Sequence, residues 1–230
     1  MKSRSEIPSD TSAALYFLPG QYLFATFGED ESTLKALSST QVARAFRHLK
    51  TDTGWLDRRI LRYREAPEGN AILSYEPAST RTIFVELPGG RIETITIPLP
   101  TLILLGKGKD YFLWATAATR ISSKTCLAVA PLPNIGSRLQ GKICFGRNEV
   151  PECHPCSVGA VWKLIFETPF NHDNVNDKCL AEPADVRNLL ADLSRQKPKR
   201  FPNSELLISN TTIDDAWEAI VEGRRNDSRF

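Results

Sequence analysis

The chain has 230 residues, 41% of them apolar, enough for one substantial core or two small ones. Its 29 basic and 27 acidic side chains leave a formal charge of +2, which gives no general attraction to nucleic acid or anionic lipid. The longest apolar stretch, residues 95–105, is broken by Pro98 and Pro100 and falls short of the ~20 residues a membrane helix needs. The opening MKSRSEIPSDTSAALYFLPG carries no signal-peptide core or small-residue cleavage site, so a cytoplasmic protein is expected.

In chain order, residues 1–12 are polar and read as a flexible N-terminus. Residues 15–27 read as one or two strands broken at the Pro19-Gly20 turn. Ser39 and Thr40 can cap a helix running to about Lys50, with Val42, Ala45, Phe46 and Leu49 on one face and Asp52-Thr53-Gly54 as its stop. Residues 55–63 are ambiguous. Residues 71–75, 81–87, 91–97, 101–105 and 111–116 are rich in β-branched and aromatic residues and predict a run of strands. Pro88-Gly89-Gly90 joins two of them as a hairpin, and their short links predict an antiparallel meander. A further short strand is expected over 126–130.

Proline, glycine and asparagine punctuate residues 131–156, which read mainly as loop. Helical patterns return at 157–167, 183–195 and 212–224, with Pro183 suited to a first turn and Thr212 to a cap. Ile213, Ala216, Trp217 and Ile220 make an apolar stripe that fits a core. Strands first and helices last argue for an α+β fold.

All five cysteines, Cys126, Cys144, Cys153, Cys156 and Cys179, lie in the second half. Without a secretion signal they read as free thiols, metal ligands or a nucleophile rather than structural disulfides. Cys153-His154-Pro155-Cys156 has the spacing of half a zinc site, but no second Cys-x-x-Cys follows, and loop cysteines are the plainer reading. Seven basic residues between 42 and 64 form either a solvated face or a docking surface.

Residues 131–151, PLPNIGSRLQGKICFGRNEVP, carry the chemistry. Leu132-Pro133-Asn134 followed by Gly141-Lys142-Ile143-Cys144-Phe145 resembles the E2 ubiquitin-conjugating enzymes, in which a His-Pro-Asn turn precedes a strand with the nucleophilic cysteine. The resemblance is tighter to prokaryotic E2 family D, the PRTRC system protein B group. That group shares Asp52-Thr53-Gly54-Trp55-Leu56, Ile97-Pro98-Leu99-Pro100, the core at Ile143-Cys144-Phe145-Gly146, and the Phe-x-x-x-Phe-x-His pattern from Phe166 to His172. The likeness runs from about residue 40 to 175.

What the resemblance implies is an E2 (UBC)-like β-meander with flanking helices. A flexible segment 1–12 would precede an E2-like domain with an N-terminal elaboration over 13–180, followed by a C-terminal helical extension over 181–230. It implies a carrier that takes a ubiquitin-like protein from an E1-like enzyme as a thioester on Cys144 and passes it to a target protein. No cofactor is implied for that step, because ATP is used at the E1. Such proteins are encoded beside an E1-like enzyme and a JAB peptidase, in some cases within Bil-type antiphage operons.

Asn134 is the family's candidate for the oxyanion donor or for holding the loop in shape. His172 is a candidate base, and Glu149 a weaker one for receiving a lysine. Leu132 replaces the usual histidine, and the spacing from Asn134 to Cys144 is about two residues longer than usual. The competing readings are a buried structural thiol at Cys144, a turn residue at Asn134 and a surface residue at His172. At the level of the whole protein they are a non-catalytic E2 variant that only binds, or a zinc-binding accessory protein.

Overall fold

The computed structural model describes residues 11–28, 32–46, 55–66, 69–136 and 140–223. The predicted end of the first helix at residues 47–54, and most of segment 1–12, lie outside the described residues. The chain divides into two compact units, residues 1–55 and 56–230.

The first unit holds β1 (Ala13–Leu18), β2 (Gln21–Phe27) and β3 (Ser32–Leu37) in one antiparallel sheet, then α1 (Ser39–Phe46). Gly20 takes φ 79 in the turn after Pro19, as that dipeptide predicts. The helix cap is Ser38, one residue before the predicted pair. Its hydroxyl accepts from Gln41 N (3.2 Å) while Gln41 Oε1 accepts from Ser38 N (2.8 Å), a reciprocal arrangement that Ser39 cannot make with Val42. Strand β3, exposed over its first five residues, was not expected.

The second unit is built on a six-stranded antiparallel sheet. Its strands are β4 (Ile60–Arg64), β5 (Ala71–Glu76), β8 (Thr101–Lys107), β9 (Asp110–Thr116), β10 (Cys126–Val129) and β11 (Ile208–Thr212), in the order β11-β10-β9-β8-β5-β4. The hairpin β6 (Ser79–Glu86) and β7 (Ile92–Leu99) forms its own two-stranded sheet, turning at Gly89 and Gly90. The predicted meander therefore needs correction. Strand β5 skips the hairpin in strand order and pairs with β8, Leu73 opposite Leu105 and Tyr75 opposite Ile103.

The reason lies in burial on both faces. Leu102, Leu104 and Leu113 belong to a core shared with the hairpin residues Ile83, Ile95 and Ile97 and with α2 (Val158–Glu167) and α3 (Val186–Gln196). Ile103, Leu105 and Trp114 belong to a second core closed by Ile213, Ala216 and Trp217 of α4 (Ile213–Ile220). Successive residues of a strand point to opposite faces, so a two-sided sheet needs the unbroken run Leu102 to Leu105. Each of these side chains contributes about 1.5–3 kcal/mol by burial.

Helix α4 is capped at Thr212, as expected, with Asp215 closing the reciprocal box. Helix α3 starts later than predicted. Its cap is Asp185, whose carboxylate accepts from Arg187 N at 3.0 Å, and Pro183 stands ahead of it. Strand β11 falls in a polar stretch and was also unexpected. The whole is a mixed α+β arrangement with antiparallel sheets and four helices among the described residues. Among those residues no helix is long and apolar enough to cross a membrane.

Candidate active site

The segment from Gly141 to Phe145 runs along the start of β9. Leu113 N donates to Gly141 O (2.8 Å) and Ile143 N to Tyr111 O (2.9 Å). These bonds turn Ile143 into the core, 8% exposed, and turn the next side chain, Cys144, outward to solvent. Its thiol stands at a narrow cleft lined by Asn134, Phe145, Leu164, Thr168 and Phe170. The buried-thiol reading does not describe Cys144. It does describe Cys153 and Cys179, which are sealed in the core.

Asn134 faces the cysteine through its backbone, its carbonyl accepting from Cys144 N at 2.8 Å. Its own N–H donates to Asp173 O at 2.8 Å. The side-chain amide is buried and engaged with the loop after α2. Oδ1 accepts from Asn171 N (3.1 Å) and Nδ2 reaches Pro169 O (3.4 Å). Of its two suggested roles, the geometry fits the holding of the loop. Asn134 sits at φ 61, a left-handed conformation that asparagine tolerates better than most residues.

That loop is itself strand-like. Phe170 N donates to Phe84 O (2.8 Å) and Glu86 N to Phe170 O (2.7 Å), which adds a parallel bridge beside Val85. It carries His172, exposed, with Nδ1 3.6 Å from Glu86 Oε1. The backbone of Asn134, through its N–H and its carbonyl, thus ties the His172 loop to the Cys144 segment. Glu149 is exposed in the turn that follows, and Leu132 is fully buried. A leucine there packs into the core where a histidine would need polar partners.

The Cys-x-x-Cys motif is split by the fold. Cys153 lies against Tyr111 and Gly106 in the core, and burial pushes its thiol up to about 11. His154 and Cys156 are exposed, with His154 Nδ1 accepting from Cys156 N (3.1 Å). Among the described residues no group of three or more His, Cys, Asp or Glu side chains is placed to hold a metal. Another face of α2 borders a groove of about 800 Å³, lined by Trp162, Lys163, Phe166 and Arg81, where Glu76 is held between Arg59 and Arg81.

One contributor escaped the sequence. Lys178 is 0% exposed, and its ammonium donates to Ile135 O (2.6 Å) and Gly136 O (3.0 Å), directly after Asn134. In NVNDKCL it reads as a surface lysine. Burial holds its ammonium well below the ordinary lysine range, down to about 8. Below pH 8 both folded and unfolded chains are protonated there, and the folded chain carries the burial cost. Between about 8 and 10.5 only the unfolded chain keeps the proton, so stability rises with pH. The gain from this residue is about 3 kcal/mol when complete. Cys153 acts oppositely above pH 9, its raised thiol giving stability that is lost as pH climbs. Comparing the wild type with Lys178→Met cancels that effect. Denaturant melts at pH 7.5 and 10 should show the difference in unfolding free energy between the two proteins shifting by about 2–3 kcal/mol in favour of the wild type. An unchanged difference would mean that Lys178 titrates normally.

A family profile, prokaryotic E2 family D, matches residues 33–208, well over half of the chain. The chain belongs to that family. The match runs from the second residue of β3 to the first residue of β11 and therefore takes in every residue of the cysteine cleft. Membership implies the E2 fold and suggests an E2-like role in conjugation, with E1-type and ubiquitin-like partners in general. No curated protein and no solved structure matches the chain.

Proposed function

We propose that this family D protein accepts a ubiquitin-like protein from an E1-like enzyme as a thioester on Cys144 and transfers it to a target nucleophile, in the setting of a bacterial antiviral operon. The observation that carries the proposal is a cysteine turned to solvent at a cleft, between Ile143, buried in the core, and Phe145, half-buried and packed against it. A protein-to-protein carrier needs that combination of open sulfur and fixed backbone. The Cys144 thiolate attacks the thioester carbonyl, the new S–C bond forms, and the E1 thiolate leaves. An acceptor amine then attacks the same carbonyl, loses a proton, and the Cys144 thiolate departs.

The assay is a mixture of the protein with its cognate E1-like enzyme, modifier and ATP, followed by non-reducing electrophoresis. A band removed by thiol reductant supports the reading. No band with a demonstrably active E1 leaves a non-catalytic binding module.

His172 is proposed as the base that receives the amine proton. His172→Ala should load at the wild-type rate but discharge to free lysine about a hundredfold more slowly near neutral pH, measured by single-turnover chase. Equal discharge rates would remove His172 from the mechanism.

A further inference from the structure

We propose that Lys178 is the positioning residue of the nucleophile segment, its buried ammonium anchoring the strand that holds Cys144 in place. The functional half of this rests on Cys144 being the nucleophile, while the geometric half does not.

Residues 134–136 and 142–144 form a very short antiparallel ladder. Cys144 N donates to Asn134 O (2.8 Å), Gly136 N donates to Lys142 O (2.7 Å), and Ile135 stands opposite Ile143. A ladder of three residues a side has little stability of its own and depends on what its outer strand is fastened to. On the Cys144 side the fastening is β9, through Tyr111 O and Leu113 N. On the 134–136 side it is the loop after α2 at one end, through Asn134, the buried side chain of Ile135 in the middle, and Lys178 at the other end.

Lysine is an expensive choice for a position fully removed from solvent. The acid whose charge acts on it is its chain neighbour Asp177. A methionine of similar length would bury at lower cost but could not donate to Ile135 O and Gly136 O. A charge retained against that cost, and aimed at two successive carbonyls, points to the geometry of those carbonyls as what is gained. Cutting this anchor leaves the outer strand held only by Asn134 at one end and by the buried side chain of Ile135. Its Gly136 end and the pairing with the Cys144 segment then loosen, and misplacement of a nucleophile by about 1 Å can cost up to a hundredfold in rate.

The test is amide hydrogen exchange by NMR on the full chain, wild type against Lys178→Met and Lys178→Gln, with loading kinetics on the same proteins. In Lys178→Met the amides of Gly136 and Cys144 should exchange about tenfold faster while that of Leu104 in β8 is unchanged. Loading should fall about tenfold in kcat at constant KM for the charged E1. Lys178→Gln, which keeps a donor, should lie between. Unchanged exchange at Gly136 and Cys144 in a folded variant overturns the proposal, as does a uniform rise at all amides, which would mean a general stabilising role. If exchange responds but the wild type never loads, positioning stands and the Cys144 nucleophile falls. Should neither variant fold, the unaltered protein decides. Its Lys178 ammonium must exchange slowly with water and show hydrogen-bond couplings to the Ile135 and Gly136 carbonyl carbons, and their absence overturns the proposal.

Discussion

Cys144→Ala is expected to abolish the reductant-sensitive adduct, a loss on the order of a thousandfold or more, while serine at each of the other four cysteines leaves it in place. The placement of the other four thiols is the ground for that expectation. Cys153 and Cys179 are sealed in the core, where burial raises both thiols and leaves little thiolate near neutral pH. Cys126 and Cys156 are exposed but belong to β10 and to the turn before α2, outside the residues that line the Cys144 cleft. Cys144→Ser gives either no adduct or an ester that survives thiol reductant, because an alkoxide is a poorer leaving group than a thiolate. Electrophoresis with and without reductant reads all of these. A reductant-sensitive band that persists in Cys144→Ala, and disappears in Cys156→Ser, would move the chemistry to the start of α2 and end the present assignment.

How far the sequence alone reaches can be judged from where it stopped. The runs that became β8 and β9 were legible because they are buried on both faces and so contain almost nothing polar. Strands β3 and β11 were not: STLKAL alternates over only four residues in an exposed edge strand, and ISNTT carries no alternation and pairs with β10, distant in sequence. The pairing of β5 with β8 was hidden for a related reason. Whether a hairpin joins the main sheet or folds over it depends on which helices cover it, and no local signal records that. Pro183 looked like a helix start, yet Asp185 won because its carboxylate satisfies an open backbone N–H and a proline offers none. At the site, the motif around Cys144 and the family likeness were legible, and so was the double possibility for Asn134. What favours the loop-holding role is the amide's partners at Pro169 and Asn171, 35 and 37 residues away. Lys178 was invisible, because a buried lysine between Asp177 and Cys179 has the same spelling as an exposed one.

The second large effect is expected at a residue with no side chain. Gly141 and Gly146 flank Cys144 at φ 61 and φ 60, so a substitution meets the same backbone strain at both, about 1–2 kcal/mol. Their surroundings differ. A methyl on Gly141 would come within 2.7 Å of the Trp114 ring and 3.0 Å of Leu113 O, while one on Gly146 meets nothing within 4 Å. Trp114 is 1% exposed and stacked on Phe112, with ring centroids 6.1 Å apart, so it has little room to yield. The Gly141 backbone must retreat instead, and with it the bond from Leu113 N to Gly141 O that sets which of Ile143 and Cys144 faces the core. Gly141→Ala should therefore cost about 3–4 kcal/mol, the strain plus an overpacking term, against about 1–2 kcal/mol for Gly146→Ala. Denaturant melts measure both. Loading per folded molecule should fall at least tenfold in Gly141→Ala and stay near wild type in Gly146→Ala. Equal losses at the two glycines would show that the left-handed turns, and not the closeness of Trp114, hold the cysteine where it is.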